Sequence, residues 1–147
     1  MIDRLPYTFD DGGRAEAGFK GETRDCVVRS IAIVTRRPYK KVYDELNDYA
    51  ALTEERVTGR SSSARTGIRA ETIRDYLTLQ SMSWHSTMSI GSGCRTHLRR
   101  GEIPERGRVI VRVSKHLSAV VDGIIRDTHD PSREGTRCVY GYWLLRA

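Results

Sequence analysis

The chain predicts an α+β fold, with helices first and an antiparallel sheet after them. Three observations carry that reading. In the first half, apolar residues recur at three- and four-residue steps: Val27, Ile31 and Val34, then Tyr39, Val42, Tyr43, Leu46 and Tyr49, then Ile73, Tyr76 and Leu77. From Val109 onward the apolar residues form short β-branched runs. Asp122-Gly123 stands between two of those runs, and that dipeptide is the strongest short signal for a two-residue hairpin turn. Helices and strands segregated along the chain are the mark of α+β architecture.

Taken in order, Tyr7-Thr8-Phe9 is a short strand-like piece, and Asp10-Asp11-Gly12-Gly13 is a turn or loop. The first helix spans about Cys26 to Thr35, where the chain switches from polar to apolar; Asp25 or Thr23 can cap it. Pro38 ends it, because proline lacks the amide and disfavours helix in the residue before it. The second helix covers about Tyr39 to Ala51, and a polar loop, 53–67, follows. The third helix spans about Arg69 to Leu79. Strands are expected around 84–90, 109–113, 117–121, 124–127 and 138–145.

Composition bounds the rest. A chain of 147 residues, 38% hydrophobic and 30% charged, reads as a single domain, 1–147, with one modest core. No apolar run is long enough to span a bilayer and no apolar leader opens the chain, so the expectation is no membrane partner and a cytoplasmic location. Three cysteines, Cys26, Cys94 and Cys138, argue against a disulfide framework and for at least one free thiol. The net charge of +6 comes from 25 basic against 19 acidic residues. The arginines are scattered, with small clusters at Arg36-Arg37 and Arg99-Arg100 and no basic helix, which makes nucleic acid an unlikely partner class.

The chemistry-bearing residues are few. Cys26 sits in the first turn of a helix, where unpaired amides and the macrodipole favour a thiolate. By spacing alone it equally suits a structural cysteine in a core helix. His116 opens the strand before the Asp122-Gly123 turn; the bland alternative is a surface histidine on an edge strand. In a two-residue hairpin, position 116 faces position 129. One residue of bulge would set His116 against Asp130, and Asp127 is the diagonal neighbour. Either carboxylate would fix the imidazole tautomer as a third triad member does. We read Asp130 as that member and Asp127 as the alternative. Arg29, one turn past Cys26, is either a solvated helix residue or a charge that favours the thiolate.

The order of cysteine on the first helix, then histidine and aspartate on neighbouring strands, resembles the papain-like cysteine peptidase fold. Asp25-Cys26-Val-Val-Arg-Ser-Ile-Ala looks like the opening of its compact members, and His116-Leu-Ser-Ala-Val-Val with Asp130-Pro131 looks like their histidine strand and Asp-Pro. These segments, with Pro38-Tyr39 through Leu46 and Gly107 through Trp143, are similar to uncharacterised papain-like proteins of tailed bacteriophages. The resemblance covers the first helical third and the C-terminal third. It implies N-terminal helices packed on a C-terminal antiparallel sheet, Cys26 as nucleophile, His116 as general base and a peptide or protein substrate. It also implies a bacterial host cytoplasm if the protein is phage-encoded. The family usually carries a glutamine about six residues before the cysteine, as an oxyanion donor; Lys20-Gly-Glu-Thr-Arg-Asp25 has none. Thr23, Arg24 and Lys20 are the side chains placed to substitute. That departure motivates a second expectation, a catalytically inactive papain-like module that binds a host or phage protein.

Other patterns carry less. Cys94-Arg-Thr-His97, with His85, His129 and Cys138, is not at zinc-finger spacing, so no metal is expected. Gly91-Ser-Gly93 is too short for a phosphate loop, and no cofactor motif is present. Tyr140, Tyr142 and Trp143 read as a strand with one side in the core.

Overall fold

The computed structural model describes residues 2–21, 23–58 and 61–146. Three helices, α1 (Cys26–Thr35), α2 (Tyr39–Thr58) and α3 (Ala70–Leu79), lie between a first short strand and the rest of the sheet. The strands are β1 (Tyr7–Phe9), β2 (Met82–Ser86), β3 (Arg108–Val113), β4 (His116–Val121), β5 (Ile124–Asp127) and β6 (Gly141–Leu145). They form one sheet in the order β1-β5-β4-β3-β6-β2. All neighbours are antiparallel except β1, which runs parallel to β5 through Tyr7↔Ile125 and Phe9↔Asp127. The class is therefore mixed α and β with a mostly antiparallel sheet.

The Asp122-Gly123 turn forms as expected. Both residues are left-handed, with φ of 49° and 78°, as a turn that matches strand twist requires, and Val121 pairs with Ile124. A second tight turn, Ser114-Lys115, joins β3 to β4 through the Val113↔His116 pair. It places His116 at the very start of its strand.

Helix α2 runs seven residues past the expected end at Ala51. The polar composition of 53–58 reads as loop, yet Glu54 gives it a buried anchor. Its carboxylate accepts hydrogen bonds from the Ser62 N–H and hydroxyl and from the Thr72 hydroxyl, each at 2.6 Å. Residues 59–60 of the expected loop lie outside the described residues. Strands β2 and β6 are shorter than the expected 84–90 and 138–145.

Two apolar clusters sandwich the sheet. One joins Val28, Ile31, Val34, Val42, Leu46 and Leu77 of the helices to Ile110, Leu117, Ala119 and Trp143 of the strands. The other joins Leu5, Leu98 and Ile103 to Val109, Val111, Val120 and Ile125. Helix α1 is tied to β4 by Ser30, whose hydroxyl lies 2.6 Å from the Cys26 carbonyl and 3.1 Å from the Leu117 carbonyl. Each of those carbonyls belongs to, or directly follows, a residue of the candidate site.

At Gly141 the sheet admits no side chain. A Cβ there would sit 2.3 Å from two ring carbons of Trp84 and 2.9 Å from the His85 carbonyl. Gly141→Ala is expected to push Trp84 off Trp143, whose ring centroid lies 5.1 Å away. The overpacking should cost on the order of 1–3 kcal/mol. Urea unfolding and tryptophan emission check this; an unchanged midpoint and spectrum would contradict it.

Candidate active site

Helix α1 begins without the usual side-chain cap. Asp25 precedes it, but its carboxylate makes no capping bond. Instead Asp25, fully buried, binds the Arg29 guanidinium and the Tyr39 hydroxyl, with Arg14 Nε 3.5 Å away. Thr23, the other candidate cap, donates its hydroxyl to the Arg65 carbonyl at 3.0 Å. The first-turn amides of α1 are therefore left uncapped by these side chains, beside the Cys26 thiol.

Cys26 is partly buried, carries the free thiol of the chain, and lies near enough to the His116 ring for that imidazole to favour its thiolate. His116 Nε2 lies 2.7 Å from Asp127 Oδ2. With Nε2 on the carboxylate, Nδ1 is the ring nitrogen free of it. Thiol, imidazole and carboxylate are thus brought together from α1, β4 and β5. The Asp127 carboxylate is held on all sides. Its Oδ2 also accepts from the Ser118 hydroxyl at 2.7 Å, and its Oδ1 accepts from the Thr128 N–H at 2.7 Å and faces Arg29 at 3.4 Å.

The preferred third member, Asp130, is not in this chain. Its Oδ1 accepts the Ser132 N–H at 2.9 Å, an Asx turn closing the Asp130-Pro131 corner. The reason is register. The β4–β5 hairpin carries no bulge, and Ala119 pairs with Arg126. Continuing that register sets Ser118 opposite position 127 and His116 opposite position 129; the rings of His116 and His129 are indeed 5.1 Å apart. Asp127, the diagonal alternative, then reaches both Ser118 and His116.

The charges follow from these contacts. Burial works against the Cys26 thiolate, but the His116 hydrogen bond, the Leu117 N–H, and the charges of His116 and Arg29 outweigh it and lower the thiol below its ordinary value. Burial also disfavours a charged imidazole, yet the Asp127 and Cys26 partners raise His116 to about 9. Asp127 is likewise opposed by burial and lowered by His116 and Ser118. Both shifts run in the direction that favours a thiolate–imidazolium pair. Two pH effects are expected. Alkylation of Cys26 should titrate below the usual thiol range. Because His116 is raised from 6.5 to about 9, its contribution to stability is full below pH 6.5 and is lost as pH rises through 9. Melting temperatures of wild type and His116→Gln should therefore converge above that range; parallel curves would contradict the assignment.

Cys26 and His116 open onto a cleft of about 830 Å³. Its walls include Arg24 and Val27 beside the thiol, Ile68, Ile73 and Arg74 from the α3 region, Met82 and Trp84 of β2, and Trp143 of β6. Of the three side chains placed to replace the missing glutamine, Arg24 alone lines this cleft. Thr23 is engaged by Arg65, and the Lys20 carbonyl accepts from the Arg65 guanidinium at 2.6 Å.

Several other sequence readings are corrected. Cys94 and Cys138 are joined by a disulfide, with Cα atoms 5.8 Å apart, which takes both sulfurs out of the zinc pattern; the reading against a disulfide framework did not foresee this single bond, and Cys26 holds the free thiol it expected. His97 bonds Glu102 at 3.1 Å, and His85 stacks on Tyr142 at 5.1 Å. His116, Asp127 and His129 place donor atoms within 4.8 Å of one another. A cation there would have to break the His116–Asp127 bond. The paired arginines are largely spoken for: Arg37 binds Glu45, Tyr76 and Gln80, Arg99 binds Glu102 and the Gly135 carbonyl, and Arg100 pairs with Asp3. Among the described residues no helix is long and apolar enough to cross a membrane.

The residue that the sequence reading undervalued is Arg29. It is not a solvated residue: its charge favours the Cys26 thiolate, as the second alternative had it, and it also bridges Asp25 and Asp127. Its four-residue step from Asp25 is the signal that was available. No family model, no curated protein and no solved structure matches the chain.

Proposed function

We propose that the protein is a thiol hydrolase of papain-like arrangement, acting on a peptide, isopeptide or amide bond. The observation that carries this is the Cys26 thiol beside the His116 ring on the wall of an open cleft, with that ring hydrogen-bonded to the buried Asp127 carboxylate. The resemblance to papain-like proteins of tailed phages supports it independently of the geometry.

The reaction follows from the charges. The Cys26 thiolate attacks the scissile carbonyl carbon, and the new C–S bond drives the carbonyl electrons onto oxygen. The uncapped Cys26 N–H is the backbone donor nearest that oxyanion. The tetrahedral species collapses as the His116 imidazolium passes its proton to the leaving nitrogen, and the C–N bond breaks. His116, now neutral, takes a proton from water as the water attacks the thioester. The acid leaves and the thiolate–imidazolium pair is restored. Asp127 stays ionised throughout and holds the ring.

The test is acylation by p-nitrophenyl acetate at pH 7. Wild type should release a stoichiometric burst of p-nitrophenolate, gain one acetyl group at Cys26, and then turn over. Cys26→Ala should show neither. A burst in that variant would sink the assignment. The second reading, a silent binding module, is favoured by the absence of a glutamine between Lys20 and Asp25. Loss of one oxyanion donor costs about 10²- to 10³-fold. An acetylated Cys26 that does not turn over selects that reading.

A further inference from the structure

The cleft beside Cys26 is charged in a way that the chemistry of bond cleavage does not require. Arg24 before α1, Arg74 on α3, Arg112 on β3, Lys115 in the β3–β4 turn and Arg146 after β6 all line it, and all are exposed. They come from five separate places in the chain. Among the described residues, Arg24, Arg112, Lys115 and Arg146 have no carboxylate within ion-pair distance, and Arg74 meets only its neighbour Asp75 at 3.8 Å. Among the described residues Glu71 is the single lining carboxylate. Elsewhere some arginines are ion-paired, as Arg37, Arg99 and Arg100 are, and others are held by backbone carbonyls, as Arg108 and Arg137 are. Unpaired cations gathered at one cleft repel one another and are retained where an anion comes to them. Between them lies an apolar wall, Met82 with Trp84 packed on Trp143; Trp84 is 40% exposed. An exposed tryptophan at a cleft is a ready platform for a large apolar side chain.

We propose that the substrate is an acidic polypeptide segment bearing a large apolar side chain near the scissile bond. The proposal rests on Cys26 acting as a thiol nucleophile. The acidic residues meet the cations, and the apolar side chain packs on Trp84. The nucleophile favours polypeptide over nucleic acid, because a thiolate–imidazolium pair attacks acyl carbon. What marks this cleft is that five cations line it together with one thiol.

The probes are two chloromethyl ketones, acetyl-Glu-Asp-Leu and acetyl-Lys-Arg-Leu. Each alkylates the thiolate by forming an S–C bond as chloride leaves. Intact mass of the full chain gives the rates, with iodoacetamide as the neutral control. At low salt the acidic reagent should modify Cys26 about tenfold faster or more, and the advantage should shrink as salt rises. In Arg112→Glu/Lys115→Glu the ratio should swing toward the basic reagent. If that variant is unfolded by circular dichroism, Arg24→Glu and Arg146→Glu are read singly for the same swing. Fast iodoacetamide labelling with equal peptide rates would overturn the proposal and leave the thiol reading intact. Slow iodoacetamide labelling would overturn the thiol reading itself. Protection of Cys26 from both peptides by a 20-mer of oligothymidylate at physiological salt would replace the acidic peptide with nucleic acid.

Discussion

Asp127→Asn should lower acylation of Cys26 at neutral pH by on the order of 10²-fold or more, while Asp130→Asn should leave it unchanged. The first expectation comes from counting donors. Asp127 Oδ2 receives His116 and Ser118; Oδ1 receives the Thr128 N–H and faces Arg29. An asparagine has one oxygen. Whichever way its amide turns, its NH2 meets donors. If the oxygen faces His116, the NH2 confronts the Thr128 amide and Arg29. If the oxygen faces Thr128, the NH2 confronts His116 and selects the wrong tautomer. Loss of that orientation costs about 10⁴-fold where it has been measured in serine triads. The effect here should be smaller, because the thiolate is a better nucleophile and needs less help from the base. The lost negative charge adds to it, since His116 is held near 9 in part by Asp127. Without it the imidazolium is less stable, and the thiolate loses its counter-charge. Asp130 makes one acceptor bond that an asparagine oxygen reproduces, so its change should stay within about 0.5 kcal/mol in stability. A p-nitrophenolate burst that survives in Asp127→Asn and fails in Asp130→Asn would restore Asp130 as the third member.

That contrast also shows where the sequence was legible. The polar-to-apolar switch at Cys26 marks a helix start, and α1 begins there. The Asp122-Gly123 turn fixes the hairpin, and through it the rank of His116 against position 129. Choosing between Asp127 and Asp130 required knowing whether the hairpin holds a bulge. Bulges depend on what the edge of the sheet packs against, which a local pattern does not encode. Pairing of β1 with β5 joins residues more than a hundred apart, and its parallel direction has no local signal. The Cys94–Cys138 bond spans 44 residues, and three cysteines alone do not choose a pair. Polarity misled in the stretch after Ala51, where Glu54 is buried by the partners that satisfy it. The same holds at Asp25. Local pattern reads it as a helix cap, whereas Arg29, Arg14 and Tyr39 take up its oxygens and leave none for the helix amides.

Asp25 is where the largest loss of stability is expected. It is a fully buried carboxylate one residue before Cys26. The Arg29 side chain that it binds is 12% exposed and the Arg14 side chain 19%. Burial and the Asp25 contact raise the Tyr39 hydroxyl well above its ordinary value, so it remains a donor to the carboxylate. In Asp25→Ala two guanidinium groups and a phenol lose their common acceptor without regaining water. Arg29 keeps only its 3.4 Å contact to Asp127. Removing one partner from a buried ion pair costs about 3–5 kcal/mol, more than the pair itself contributes, because the remaining charge stays desolvated. For a chain of this size that corresponds to a fall of roughly 10 °C or more in melting temperature. The site should respond as well. A less compensated Arg29 is drawn toward Asp127 and competes with His116 for its charge. Asp25→Asn separates the two effects, since it preserves the shape and the Tyr39 bond but removes the charge. It should lose less stability than alanine and still shift the pH dependence of Cys26 alkylation. A melting temperature within about 2 °C of wild type in Asp25→Ala would mean that the buried cations find water or other acceptors, and that Asp25 does not hold the base of α1 in place.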